Sequence, residues 1–362
     1  MNSEILNFAF GTNELPELRE WQEKWKRATD QEDIYSIVGF HGLAALQKKI
    51  HERFIQRTVK GGCSSRQVMV TAGGTEALFA SLLWLKSING SVLLQHPSWG
   101  YMTDTLELLQ IPYSYSRATD AESLKKDLAL VEKGSPTLFL LTHPSNPFSY
   151  VFPSSYLRVL SEWVHADENH YVLSDEIYDW FVGKEEDYIS WASFHGLQQS
   201  IIVHGYSKPT GLAAFRIGYL LADSSVYKKI FPFHYSSSYG ATIYSQFMAL
   251  HAQEDEMKLR EVLRLGTDRS WKIIKEEWQD SRVMSLQKRR SGMYANFVID
   301  APVDEQSTFF SQLKSQAKVI VTPGDNFGVE AGGFRLNICR PPDQLEEGIR
   351  RIQEFTKTHF KD

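Results

Sequence analysis

Lys208 and Arg216 lie eight residues apart in the stretch His204–Leu220, HGYSKPTGLAAFRIGYL, which follows the apolar run Ser200-Ile201-Ile202-Val203. A lysine amine can add to an aldehyde once desolvation and a neighbouring positive charge lower its pKa. Displaced from that aldehyde by a substrate amine, Lys208 would be placed to move a Cα proton as general base. Arg216 supplies a fixed charge with the planar geometry that suits a phosphate. Four further apolar runs end in polar or glycine-rich residues. Gly73-Gly74-Thr75 opens a helix, and bare N–H groups at a helix start favour an anion. Trp99 offers a flat aromatic plate, Asn146 a carboxamide, and Asp175 with Tyr178 a carboxylate and a phenol. A carboxylate ending an apolar strand is costly to desolvate unless it meets a cation, and a protonated pyridine nitrogen would be one. Asn146 and Tyr178 could then share a phenolate oxygen. Arg335, in Gly333-Phe334-Arg335-Leu336-Asn337, alternates with apolar residues and could fork onto an α-carboxylate. Together the set suits a flat, phosphorylated pyridine aldehyde.

Each residue also has an ordinary structural reading. The glycine turn can be a plain helix cap, Arg216 one half of an ion pair, and Trp99 part of a core between domains. Asn146 can be a turn residue before proline, Asp175 a helix cap, and Arg335 an edge residue facing water. It is their joint occurrence, each at the end of a predicted strand, that favours a site.

The elements that must position them follow from hydrophobic spacing. Short apolar runs at 67–70, 91–94, 137–141, 170–173 and 200–203 alternate with helical stretches such as Glu76–Lys86 and Ser154–His165. Strands that are apolar throughout and separated by helices predict a mostly parallel sheet covered on both faces, with ligands at the strands' carboxyl ends. Helical stretches at 43–59 and 242–280, strands at Tyr294–Ile299 and Phe334–Ile338, and a last helix Gln344–Phe360 complete the pattern. The fold class predicted is α/β: a three-layer α/β/α large domain over 35–235, then a smaller α+β domain over 236–362. Residues 1–34 are expected to pack with the smaller one.

At 362 residues, two subdomains are the default. A net charge of −5 leaves no electrostatic footprint for nucleic acid, and no basic run favours an anionic membrane. No apolar stretch reaches the ~20 residues needed to span a bilayer, and no secretory signal opens the sequence, so a cytoplasmic protein is expected. Two cysteines, Cys63 and Cys339, make no disulfide framework, and the eleven histidines lack metal-ligand spacing.

The motifs Asp175-Glu176-Ile177-Tyr178, Ser207-Lys208 with Gly211, Arg216 and Gly218-Tyr219, and Val321-Thr322-Pro323-Gly324 through Phe327-Gly328 to Arg335 resemble the fold-type I pyridoxal-phosphate enzymes, specifically the class I/II aminotransferase superfamily. The resemblance runs from about Tyr35 to Arg340. It implies Lys208 as the Schiff-base lysine, Asp175 as partner of the pyridine nitrogen, Tyr178 and Asn146 at the ring oxygen, and Trp99 stacked on the ring. It also implies that Gly74, Thr75, Ser207 and Arg216 hold the phosphate of pyridoxal 5'-phosphate and that Arg335 binds the carboxylate of an L-amino acid. Such enzymes are usually homodimers, and Tyr35 sits where they send a tyrosine to the neighbouring subunit's phosphate. The expected activity is an aminotransferase.

Departures leave an alternative. The usual Asn-Pro-Thr-Gly turn is here Asn146-Pro147-Phe148-Ser149, Gly205 stands where a hydroxyl residue often helps hold the phosphate, and the N-terminal region is short. The segment Asn7-Phe8-Ala9-Phe10-Gly11, the altered turn at 146–149 and the compact length also resemble capreomycidine synthase and related enzymes that cyclise hydroxylated arginine. A cyclase, lyase or decarboxylase is therefore the second reading, with Gly11 at the substrate and Glu14 facing a guanidinium at the mouth.

Overall fold

The computed structural model describes residues 4–56, 67–183, 187–288, 292–329 and 332–360, so Cys63 and the end of the predicted 43–59 helix lie outside the described residues. The strands run from β1 (Leu6–Asn7) through β2 (Val68–Thr71), β3 (Ser91–Gln95), β4 (Tyr113–Ser116), β5 (Thr137–Thr142), β6 (His170–Asp175), β7 (Ser200–Gly205) and β8 (Gly218–Ala222). The seven from β2 to β8 form one sheet in the order β2-β8-β7-β6-β5-β3-β4. Neighbours are parallel except around β8, which runs antiparallel to both β2 and β7.

The layering follows from the sequence. Strands β5, β6 and β7 are buried at every position. Along β5, Leu138 and Leu140 join one apolar cluster while Phe139 and Leu141 join another, as a period of two requires of a strand covered on both faces. Helices Gly74–Ser87 and Ser224–Ser238 contribute to the first cluster, and Ala44–Gln56 and Ser154–His165 to the second. The result is a three-layer α/β/α arrangement.

A second sheet contains β9 (Met284–Leu286), β10 (Tyr294–Ile299), β12 (Thr322–Pro323) and β13 (Phe334–Asn337), antiparallel in the order β12-β13-β10-β9. The two-residue β11 (Val319–Ile320) instead pairs in parallel with β1, Leu6 opposite Val319. Helix Leu18–Thr29 packs on helix Ile243–Glu254, which also contacts Ala44–Gln56. Helix Ser154–His165 and strand Tyr294–Ile299 have the bounds the spacing predicts. Two strands of the large sheet are not evident from hydrophobic runs. Edge strand β4 alternates Tyr and Ser and stays largely open to solvent. Strand β8 begins inside the glycine-punctuated stretch that carries Arg216.

The reversed β8 fixes a close backbone crossing. A Cβ on Gly218 would lie 2.5 Å from the Gly74 nitrogen, 2.7 Å from the Gly73 carbonyl carbon and 2.8 Å from the His204 oxygen. None of these is a flexible side chain that could yield. Gly218→Ala is expected to cost about 1–3 kcal/mol by overpacking, read as a lower urea midpoint. A midpoint equal to that of the parent protein would show that the crossing has slack.

Candidate active site

The carboxyl edge of the large sheet gathers most of the residues singled out above around a cavity of about 400 Å³. Asp175 is the last residue of β6, Asn146 follows the end of β5, and Ser207 and Lys208 follow β7. Gly74 and Thr75 begin the helix after β2; Gly73 caps it at φ 84°, a conformation glycine tolerates without strain. Because β8 runs antiparallel, its start lies at this same edge and brings Arg216 with it. The Arg216 Nη1 donates to the Ala213 oxygen at 3.0 Å and Nη2 to the Thr75 hydroxyl at 3.5 Å. A Cβ on Gly73 would come within 2.8 Å of Arg216 Nη2. The guanidinium therefore lies directly over the bare glycine turn.

The second sheet closes the cavity with one polar face. In the β10–β13 pair, Asn296 stands opposite Arg335 and Tyr294 opposite Asn337, so the four side chains share a face. All four are buried, and each bonds outward. Asn296 Nδ2 donates to the Pro147 oxygen at 3.1 Å, and the Tyr294 and Tyr178 hydroxyls are 3.2 Å apart. Arg335 Nη1 donates to Asn146 Oδ1 at 2.6 Å and Nη2 to the Ala9 oxygen at 2.9 Å, while its Nε is buried without a partner. Asn337 Nδ2 donates to the oxygens of Phe10 and Thr12 at 2.8 and 2.6 Å. From the large sheet, Lys208 Nζ donates to the Gly11 oxygen at 2.7 Å. Residues 9–12 thus cross the mouth as a strap held through its carbonyls.

Burial dominates the electrostatics. It pushes the Asp175 carboxyl up to about 7, against the Ile177 N–H that donates to it at 3.3 Å and the Lys208 charge. Burial likewise raises Tyr178. It would raise Tyr294 as well, but Arg335 and Lys208 outweigh it and hold that phenol below its ordinary value. Beneath the site, Asp179 accepts from His204 Nε2 at 2.6 Å and is paired with Arg53 and Arg260, with Glu256 balancing the two arginines. Burial and the Arg53 charge pull His204 down to about 4 despite Asp179. This network anchors the turn that carries Tyr178.

Several expectations meet a different placement. Glu14 does not line the cavity; its carboxylate accepts from Arg340 and from the Thr12 hydroxyl at 2.8 Å, because the strap turns that side chain toward β13's far end. Tyr35 is 93% exposed and lies away from the cavity of its own chain. Trp99 lines the cavity but is 41% exposed and stacks on Tyr101, so it is not core between domains. Sequence reasoning missed Tyr294 and Phe10 as lining residues. The signal for Tyr294 was its even spacing from Asn296 on a strand paired with the Arg335 strand; Phe10 had none beyond its proximity to Gly11.

With this geometry in place, comparison with known proteins is decisive at the level of family. The model of the family "Aminotransferase class I and II" matches residues 3–352. This chain belongs to that family. An aspartate aminotransferase of Sulfurisphaera tokodaii is 26% identical over 97% of this chain and 90% of its own length. An aromatic-amino-acid aminotransferase of Thermococcus litoralis is 24% identical over 87% of this chain and 82% of its own. Among solved structures, an aromatic aminotransferase from Pyrococcus horikoshii superposes with a TM-score of 0.83 at 20% identity, covering 98% of this chain and 96% of that one. The chain is a pyridoxal-phosphate-dependent aminotransferase by family, and these relatives do not favour the cyclase alternative. Among the described residues no helix is long and apolar enough to cross a membrane, and no group of side chains could hold a metal ion.

The raised Asp175 has a testable sign in the aminotransferase freed of cofactor. Its folded pKa of about 7 exceeds the ordinary carboxyl value of 3.8, so its contribution to stability is full below pH 3.8 and is lost as pH rises toward 7. Over that window Asp175→Asn should flatten the fall in stability by an amount on the order of a few kcal/mol. Parallel urea-midpoint profiles for the two proteins would contradict the assignment.

Proposed function

We propose that this chain transfers the amino group of an L-amino acid to a 2-oxo acid, with Lys208 as covalent anchor of the cofactor and as general base. The observation that carries the reading is the placement of the Lys208 amine and the desolvated Asp175 carboxyl in one cavity with the unpartnered Arg335 Nε.

The residues present fit pyridoxal 5'-phosphate. A protonated ring nitrogen would give Asp175 the cation its burial lacks. Gly74, Thr75, Ser207 and Arg216 make an anion cradle for the phosphate. Tyr178 and Asn146 would address the ring oxygen; with Asn146 Oδ1 occupied by Arg335, its Nδ2 is the donor left over. The exposed Trp99 would cover the ring. When bound, the cofactor supplies the electron sink that makes a substrate Cα proton removable. Arg335 orients the substrate carboxylate, and Lys208, as the free amine, takes the Cα proton and then returns it as the ammonium. Gly11 lies against Lys208 and Tyr294, since a Cβ there would be 2.6 Å from Lys208 Nζ and 2.5 Å from the Tyr294 hydroxyl.

The rim favours an aromatic or large apolar amino donor. Phe10 and Trp99, 68% and 41% exposed, give the mouth aromatic surface; one relative is named for aromatic amino acids, although more are named for aspartate. We place the protein in the cytoplasm as a homodimer, in which the exposed Tyr35 reaches the partner's phosphate site. The proposed division of the chain is a large domain at 35–235, a small domain at 236–362, and an N-terminal segment packing with the latter.

Three outcomes are expected. Borohydride treatment of the holoenzyme should add the mass of the reduced cofactor to the Lys208 peptide, and Lys208→Ala should lose that label along with roughly 10²–10⁴-fold or more of kcat. Label on another lysine would refute the anchor. In a substrate screen, kcat/KM for phenylalanine or tyrosine should exceed that for aspartate; the reverse order would remove the aromatic-rim argument. Sedimentation should give a dimer, and Tyr35→Ala should weaken cofactor retention without changing that mass; unchanged retention would exclude the role across the interface.

A further inference from the structure

Tyr294 has no role in the reading above, yet it touches both Arg335 and Tyr178, two residues that do. Its ring lies under the Arg335 guanidinium, 4.0 Å from centroid to carbon, and the same carbon is 4.7 Å from the Phe327 ring centroid. Its hydroxyl is 3.2 Å from that of Tyr178, and the two rings meet edge to face at 5.7 Å. Tyr294 is 3% exposed, so its orientation is fixed by packing and not by solvent. The backbone explains why it sits there: it leads β10 on the same face as Asn296, which stands opposite Arg335 in β13.

We propose that Tyr294 is a positioning residue that ties the carboxylate-binding arginine to the phenol at the ring oxygen. The ring and the hydroxyl do separate things. The ring holds the guanidinium flat, so that Nη1 stays on Asn146 and Nε stays free for a substrate oxygen. The hydroxyl holds the Tyr178 phenol through a single hydrogen bond in a dry setting, where loss of one partner is felt strongly. Tyr294 is faced by Arg335 and Lys208, whose charges stabilise a phenolate, by Tyr178, and by Cys339 behind it. Either hydroxyl can donate across the 3.2 Å contact, and the two neighbouring positive charges favour Tyr294 as its acceptor. The Tyr178 proton would then be shared between Tyr294 and a ring oxygen when one is bound.

The inference rests on the proposed roles of Arg335 and Tyr178, and its test separates the two. Three variants are compared as holoenzymes: Arg335→Gln, Tyr294→Phe and Tyr294→Leu. Thermal midpoints and cofactor content serve as folding controls. Arg335→Gln should raise KM for the amino donor at least tenfold; if KM does not move, the proposed function itself fails, whatever Tyr294 does. Given that rise, Tyr294→Phe should keep KM within about twofold, because the ring still stacks, while kcat falls and the pH dependence of the cofactor absorbance shifts. Tyr294→Leu should show the same kcat effect and in addition raise KM roughly tenfold, the scale of a desolvated cation–π contact. Equal KM in the Phe and Leu variants overturns the ring's role. A Phe variant with parental kcat and parental spectral titration overturns the hydroxyl's role. Equal loss of thermal midpoint in both variants, with kinetics that simply follow cofactor content, reduces Tyr294 to packing and overturns both.

Discussion

A carboxyl group taken out of water at the end of β6 is the constraint on which the site depends. Among the described residues no cation pairs with Asp175: one backbone N–H reaches it, and Lys208 acts on it only through its charge. Such a group costs stability once ionised, and the apolar burial of the strands around it must offset that cost. Burial therefore gives this end of the sheet a carboxyl group whose protonation is set by its surroundings and not by water.

The two sheets meet this constraint in different ways. The large sheet delivers residues by strand ends, where the chain must turn and where side chains of any type can be exposed to a ligand. The small sheet delivers them by a face, since Tyr294, Asn296, Arg335 and Asn337 all project from β10 and β13 in one direction. A polar sheet face can be buried only if every group finds a partner. Here the partners are the Asn146–Pro147 turn, Tyr178 and the strap at 9–12, and Arg335 Nε is the exception left without one. Beneath it, the Asp179 network joins helices Ala44–Gln56 and Glu256–Glu277 to β7 through Arg53, Arg260 and His204.

Much of this was legible in the sequence, for identifiable reasons. Strands buried on both faces read as unbroken apolar runs, so β5, β6 and β7 and the residues at their ends stood out. Arg335 was legible because a charge alternating with Phe334 and Leu336 is conspicuous. Tyr294 was not, because an aromatic residue at the start of an apolar strand looks like core, and it is core by burial. Glu14 was misread because a carboxylate near a predicted mouth invites a ligand, whereas Arg340 from the far end of the chain satisfies it. β8 was hidden because glycines that permit its close crossing also erase the hydrophobic pattern. Arg53 and Asp179 carry charges compensated by residues far away in sequence, His204 meets Asp179 from another element, and no local spacing reveals such pairs.

The strap has an implication for how the molecule is made. The Ala9 oxygen is bound by a side chain 326 positions later, Phe10 and Thr12 wait on Asn337, and the Glu14 N–H on the Cys339 carbonyl. During synthesis this segment emerges before its partners, and the Ala9 contact must wait for the 326 positions that separate it from Arg335. Until then Lys208 and its neighbours lie uncovered by the strap. Contacts between such distant positions are slow to form, which makes the finished strap a record that the intervening chain has folded.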